Sequence, residues 1–222
     1  QFTGNGKEDI TIQHLLTHSS GLPGYYQFFL DDQISTKEDV LDYILNVKLN
    51  SEPGSHYEYS DLGFILLTSI IEKVANRSID RLAHSYFFGP LGMHHTRYNP
   101  PLEWKRKVAP TEIDSIYRNR LIHGEVHDEN AHLMGGVSGH AGVFSTAKEI
   151  ARYAQMLVDG GIWEGRRILK KSQIQEFTKV QHIPQDSDLA LGWDTPSQSG
   201  KSIAGDYFTP GSFGHLGFTG TS

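Results

Sequence analysis

Hydrophobic positions in the first ninety or so residues recur at helical rather than alternating spacing, so helices are expected before any strand. Ile10 to His18 reads as a short helix, stopped by Ser19-Ser20-Gly21-Leu22-Pro23-Gly24, a run dense in turn formers. Ser35-Thr36-Lys37-Glu38 reads as a capping box ahead of Val40, Leu41, Tyr43, Ile44 and Leu45, which describe an amphipathic helix. Ser51 to Ser55 is a loop. From Ser60 or Asp61 to about Ala75, Phe64, Ile65, Leu67, Thr68, Ile71 and Val74 cover so much of the surface that this helix is expected at the domain centre. A further helix is expected over Ile79 to Phe87, ended by Gly89-Pro90.

The pattern weakens from Pro100 to Gly142, a long segment rich in Gly and His. Long irregular segments in compact domains tend to line functional sites. From Lys148, the residues Ile150, Tyr153, Ala154, Leu157 and Val158 make a clean helical face, closed by Gly160-Gly161. A short helix is expected over Ser172 to Val180. The tail, Leu189 to Ser222, has short apolar and aromatic runs between glycines and reads as sheet. Helices first and strands late predict an α+β fold rather than a regular βαβ alternation.

Composition narrows the function classes. The chain has 222 residues, long enough for a real core, with 37 % hydrophobic and 21 % charged residues. Its formal charge is −6 and its one basic run, Lys105-Arg106-Lys107, is short, so nucleic-acid binding is not expected. There is no cysteine, which excludes disulfides, thiol catalysis and cysteine–zinc sites and fits either cytoplasm or periplasm. No apolar stretch is long enough to span a membrane. Neither a Met nor a signal peptide opens the chain, and it stops abruptly at Gly220-Thr221-Ser222, so both ends are expected to be cut.

Ser145-Thr146-Ala147-Lys148 is a Ser-x-x-Lys, the spacing that places an amine one helical turn from a hydroxyl it can activate. A plainer reading covers more residues. Thr146-x-x-Glu149 is a capping box at the start of an amphipathic helix, and Lys148 then falls on a solvated face with Glu149, Arg152 and Gln155. On that reading Ser145-Lys148 is a decoy.

Four other segments carry a resemblance. Leu15-Leu16-Thr17-His18-Ser19-Ser20-Gly21-Leu22 resembles the L-L-x-H-x-S-G-L segment of the serine β-lactamase and penicillin-binding-protein superfamily. Its class C-like branch, with D-aminopeptidases, DD-carboxypeptidases and esterases, is the most similar. Tyr59-Ser60-Asp61 resembles the second motif, Tyr-x-Asn, at the head of a buried helix. Gly142-Val143-Phe144-Ser145-Thr146 resembles the G-x-x-S-T helix entry. His215-Leu216-Gly217 resembles the third motif, Lys-Thr-Gly or His-x-Gly, on the strand edging the active site. His123 to Ala131 is similar to the module fused behind family 3 β-N-acetylglucosaminidases, which implies fusion to, or association with, another catalytic domain.

The resemblance implies a β-lactamase/DD-peptidase-like fold, a helical region plus an antiparallel sheet flanked by helices, incomplete at both ends. Residues 1–222 would form a single partial domain, with the helical region and active-site loops over about 10–145 and a helix plus strands over about 146–222. The implied chemistry is acyl transfer through an acyl-enzyme, needing a serine, a proton acceptor and an oxyanion hole. Tyr59 would relay the proton, helped by nearby cations because an unperturbed tyrosine ionises only at about pH 10. Asp61 would hold the motif lysine and the substrate amide, and His215 would donate across the cleft. Leu216 and Gly217 would wall the substrate, and the Phe218 amide would serve the oxyanion. His127, Asp128 and Asn130 would bind substrate from the Gly- and His-rich loop.

The chain departs from the family pattern in three ways. Asp61 replaces Asn, and His215 replaces Lys, so a permanent cation becomes one that titrates near pH 6.5. Both changes fit an esterase, amidase or D-aminoacyl hydrolase better than a β-lactamase or a strict DD-peptidase. The family's Ser-x-x-Lys helix should precede His18, so the nucleophile is expected to be absent from these residues and the chain alone inactive. The substrate would be a small molecule or a muropeptide, no cofactor or metal is expected, and the resemblance favours a periplasmic or extracytoplasmic location.

Read without the motifs, Tyr59 and Asp61 are a strand-end tyrosine and a helix cap, and His215 is a packed or surface histidine. His18 is expected to steady its turn by bonding backbone carbonyls. Two other function classes stay open: a non-catalytic peptidoglycan- or partner-binding module of the same fold, and a metal-dependent hydrolase using the His123–His140 loop. Against the metal, Gly124 interrupts the helix that would align His123 with His127.

Overall fold

The computed structural model describes residue 4 and residues 6–197 and 207–219. Its helices are α1 (Ile12–Leu16), α2 (Lys37–Asn46), α3 (Asp61–Ala75), α4 (Ile79–Ala83), α5 (Glu129–Leu133), α6 (Ala147–Val158) and α7 (Lys171–Thr178). The strands are two residues long: β1 (Arg97–Tyr98), β2 (Ile113–Asp114), β3 (Arg120–Leu121), β4 (Val143–Phe144), β5 (Ile162–Trp163) and β6 (Arg166–Arg167). They form three antiparallel pairs, β1 with β4, β2 with β3, and β5 with β6. The mixed α+β character expected from the sequence is present.

The chain divides into two compact units. The first comprises residues 1–25, 45–63 and 171–222; the second comprises residues 26–44 and 64–170. The first unit buries Leu15, Leu22, Leu62 and Ala190. The second buries Phe28, Val40, Ile44, Ile65, Leu91, Ile122, Ala131 and Met156 almost completely. Apart from the two alanines, each of these side chains stabilises the fold by roughly 1.5–3 kcal/mol relative to exposure.

Local chemistry explains the helix ends, and in places revises them. The cap of α2 is Thr36 with Asp39, one residue later than the Ser35–Glu38 pairing: Asp39 accepts from the Ser35 and Thr36 amides, and Thr36 Oγ1 accepts from Asp39 N. In α6, Thr146 Oγ1 accepts from Glu149 N, but the Glu149 carboxylate turns away from the cap. It is buried instead, taking bonds from His95 N and Thr96 Oγ1. A tertiary partner thus outcompetes the local one, and only half of the expected box forms. Arg152 also leaves the solvated face, bonding to the Gly92 carbonyl.

Three further expectations change. Helix α3 starts where expected, but its apolar content outruns its burial. Leu62, Ile65, Leu66 and Leu67 are buried, whereas Ile71 is exposed and Val74 is 83 % exposed. The helix expected over Ile79–Phe87 is α-helical only to Ala83, and His84–Phe88 continues as a wider π turn up to Gly89. The tail is not a sheet over its described residues. Residues 189–197 and 207–219 hold a single antiparallel bridge between Asp194 and Gly214; residues 198–206 and 220–222 lie outside the described part. Short apolar runs between glycines have strand propensity, but a strand needs a ladder partner to satisfy its backbone.

Candidate active site

Within the first unit, the segment before α3 is built around His18. Thr11 caps α1 by accepting from His14 N, and the helix ends at Thr17. Thr17 Oγ1 lies 2.8 Å from Ser19 Oγ, and Thr17, His18, Ser19 and Ser20 are all buried. The small hydroxyl residues replace water as bonding partners inside a tight turn, which is why the sequence reads T-H-S-S-G-L there. His18 sits at φ 51°, in the left-handed region. The sequence led us to expect a ring that bonds backbone carbonyls; its Nδ1 has an amide as partner. That Nδ1 accepts from the Ser60 amide at 2.9 Å, and the His18 carbonyl accepts from Glu58 N at 2.9 Å.

Those two bonds grip the chain on either side of Tyr59. The Tyr59 ring lies on the His18 ring at 4.2 Å between centroids, 27° from parallel. Tyr57 meets the same imidazole edge-on at 6.2 Å. Gly24 passes so close that a Cβ there would meet the Tyr59 carbonyl at 2.7 Å, so no other residue fits without a shift. Ser60 caps α3, its Oγ accepting from Gly63 N at 3.1 Å and donating to the Pro23 carbonyl at 2.8 Å. Asp61 is therefore the first helical residue rather than the cap, placed where the helix dipole favours a carboxylate.

His215 approaches Tyr59 from the tail. Asp194 and Gly214 exchange both backbone bonds, at 2.8 and 3.0 Å, and Trp193 meets Phe213 edge-on at 5.2 Å. This bridge sets His215, the next residue, with its ring 6.0 Å from that of Tyr59. His215 Nδ1 donates to the Leu216 carbonyl at 2.7 Å, so in the neutral ring Nε2 is an acceptor; it donates only when the imidazole is protonated. Leu216, Gly217 and Phe218 are exposed beside it. Burial, and secondarily the field of His215, push the His18 imidazole down to about 4, so it is neutral across the physiological range. The structure thus brings Tyr59 and His215 together, with Asp61 two residues on at the helix start. Sequence reasoning missed His18 as part of this group; its flanking run of small hydroxyl residues was the available signal.

The loop residues His127, Asp128 and Asn130 lie in the second unit. Asp128 caps α5 by accepting from Ala131 N at 2.7 Å and also pairs with His140 Nε2 at 3.0 Å. His140 Nδ1 in turn lies 2.8 Å from Ser138 Oγ. Burial pushes the Asp128 carboxyl up, but the His140 bond and charge and the Ala131 amide outweigh it and hold it below its usual range. Asn130 is 1 % exposed and donates to the Tyr26 carbonyl at 2.8 Å. His127 Nε2 is 3.0 Å from Glu112, and His123 Nε2 is 2.8 Å from the Val108 carbonyl. The histidines are dealt out to separate partners, and among the described residues no three His, Asp or Glu side chains converge as a metal site would require. Gly124 sits at φ 75°, so His123 and His127 do not share a helix face.

Ser145 stands before α6, 2.6 Å from Thr96 Oγ1, while Thr146 caps the helix and Lys148 is exposed. A lysine that activates a serine is held in a polar, partly desolvated site; Lys148 is not. No helix among the described residues is long and apolar enough to cross a membrane.

Comparison with known proteins adds the family. The family model described as Beta-lactamase matches residues 1–222. A protein of Escherichia coli (strain K12) named as a D-alanyl-D-alanine carboxypeptidase is 33 % identical, the match covering 99 % of this chain and 54 % of the relative. One of Salmonella enteritidis PT4 with the same name is 32 % identical over 97 % of this chain and 54 % of its own. The chain thus spans about half the length of these curated relatives. Among solved structures, a penicillin-binding protein homologue from Caulobacter crescentus aligns with a TM-score of 0.70, covering 96 % of this chain and 61 % of that one at 18 % identity. The D-amino acid amidase of Ochrobactrum anthropi SV3 aligns at 0.57, covering 77 % and 47 %, at 22 % identity. With the Tyr59-Ser60-Asp61 helix start and the His215-Leu216-Gly217 segment in one unit, and the family match running from end to end, the chain belongs to the Beta-lactamase family of serine hydrolases.

Proposed function

We propose that the parent protein hydrolyses a small amide or ester, of the D-alanyl or D-aminoacyl kind, through an acyl-enzyme. The observation that carries this reading is the Tyr59–His215 approach at 6.0 Å beside the start of α3. Tyr59 is the proton-transfer group. Protonated His215 supplies the positive charge that favours a phenolate, or holds a substrate carboxylate. Leu216 and Gly217 form one wall, and the Phe218 amide serves the oxyanion. The names of the carboxypeptidase relatives and of the amidase neighbour support the choice of substrate class. Because the family match runs through both units, residues 1–222 are read as one domain.

In this reading Ser145 is not the nucleophile, and the attacking serine belongs to a part of the protein outside these 222 residues. The capping role of Thr146 and the exposure of Lys148 support it. Labelling with a fluorophosphonate, followed by intact-mass and peptide analysis, tests it. The full-length protein is expected to gain one adduct outside residues 1–222, and the 222-residue chain none. An adduct on Ser145 would overturn the assignment. A full-length protein that never labels points instead to a binding module of the same fold.

A further inference from the structure

We propose that His18 is a positioning residue: a neutral imidazole that fixes the Tyr59 phenol by gripping the backbone on both sides of it and stacking on its ring. This rests on the reading of Tyr59 as the proton-transfer group. Three contacts converge on one residue. The His18 carbonyl takes the Glu58 amide and its Nδ1 takes the Ser60 amide, each at 2.9 Å, so the residues before and after Tyr59 are both tied to His18. The rings lie 4.2 Å apart and close to parallel. The two partners differ in exposure as a support and a working group should: His18 is 6 % exposed and Tyr59 48 %.

The chemistry of the imidazole follows from the bond to Ser60. With its Nδ1 lone pair occupied, His18 carries its proton on Nε2, and protonating Nδ1 would break the grip. Among the described residues, titratable groups facing it include Tyr57, Tyr59 and His215, with Asp194 acting on Tyr57 and Glu58 bonded to Gly24 N and Asn50. The left-handed backbone at His18 costs roughly 1–3 kcal/mol, which the surrounding contacts must offset. A histidine in that conformation, where Gly or Asn would be easier, fits a side chain needed for its ring and its acceptor together.

The test separates the two functions of the ring in the full-length protein. His18→Asn keeps an acceptor for the Ser60 amide and loses the stack; His18→Phe keeps the stack and loses the acceptor. Each is expected to lower kcat at least about tenfold, because small misplacements of a catalytic group are costly, with KM little changed. In a Tyr59→Phe background the same substitutions should cost no further activity, whereas a merely structural role would add its own loss. A readout that needs no activity is fluorine NMR of 3-fluorotyrosine at position 59. One sharp line is expected in the native protein, and a shifted or broadened line in both variants. Nitrogen NMR of the unsubstituted protein should show His18 protonated on Nε2 alone down to about pH 5, below the ordinary imidazole range. An unchanged fluorine line in both variants, or a His18 that titrates like a free imidazole, overturns the proposal even if the parent protein proves not to be a hydrolase. If Tyr59→Phe leaves activity intact while the fluorine line still moves in the His18 variants, the proton-transfer role of Tyr59 fails and the positioning stands.

Discussion

The His18–Tyr59–His215 group of the first unit and the Asp128–His140–Ser138 chain of the other are both centred on histidine, yet they differ in how their bonding capacity is spent. In the Asp128 chain, every bond runs inward. His140 has both nitrogens engaged and a side chain 3 % exposed, Asp128 serves a helix cap and a histidine at once, and Ser138 is buried. In the Tyr59 group, the support is buried but the phenol is half open, and His215 and its neighbours are exposed. A polar cluster that consumes its own bonding capacity holds a fold together. One that keeps a reactive group at the surface, braced from beneath, can act on something else. Residue types alone do not separate the two, since Ser, His and Asp are also the residues of hydrolytic triads.

This contrast can be broken by experiment. Tyr59→Phe should reduce kcat of the full-length protein by roughly 10²- to 10⁴-fold, the usual worth of a positioned proton-transfer group, while barely moving its unfolding midpoint. Asp128→Ala should do the reverse: a loss of about 2–4 kcal/mol in urea unfolding, from the lost α5 cap and the stranded His140, with any activity loss tracking the folded fraction. A parallel effect on both readouts in either variant would erase the distinction between the clusters.

Acid titration sharpens it. The folded-state pKa of His18, about 4, lies below its unfolded value near 6.5, so between these the unfolded chain binds a proton that the folded chain refuses. Its contribution is complete above pH 6.5 and falls as the pH drops, by about 2 kcal/mol on reaching about pH 5. The depressed carboxyls Asp128 and Glu149 lose their contributions only at lower pH, below the ordinary carboxylate range. Unfolding free energy measured from pH 7 downwards should therefore decline in two stages, and His18→Phe should shrink the first, to which His132, also lowered by burial, adds. The smallest effects belong to the decoy: Thr146→Ala is expected to cost about 1 kcal/mol as a lost cap, and Lys148→Ala less than about 0.5 kcal/mol with activity unchanged.

Several elements were legible because their signals are local. Helix α3 begins at Ser60-Asp61 as expected, since a serine cap and an apolar run need no distant partner. Thr146 caps α6 for the same reason. The family motifs were legible too, though as short strings without geometry. What failed was non-local. Glu149 left its capping box for His95 and Thr96, residues more than fifty positions away. The exposed end of α3 and the unladdered tail follow from which partners are present, and propensity is silent on that.

The amino-acid sequence by itself determined the family, the α+β composition, the start of α3, the Thr146 cap of α6 and the candidates Tyr59, Asp61 and His215, because motif order and capping chemistry are written in consecutive residues. Only the tertiary structure decided that His18 lies beneath Tyr59. It also decided that His215 faces the same ring and that Asp128 and His140 spend their bonds on each other. Those outcomes depend on contacts between residues about ten to about 160 positions apart, where burial and bond direction, rather than residue type, settle which side chain supports and which stays exposed to react.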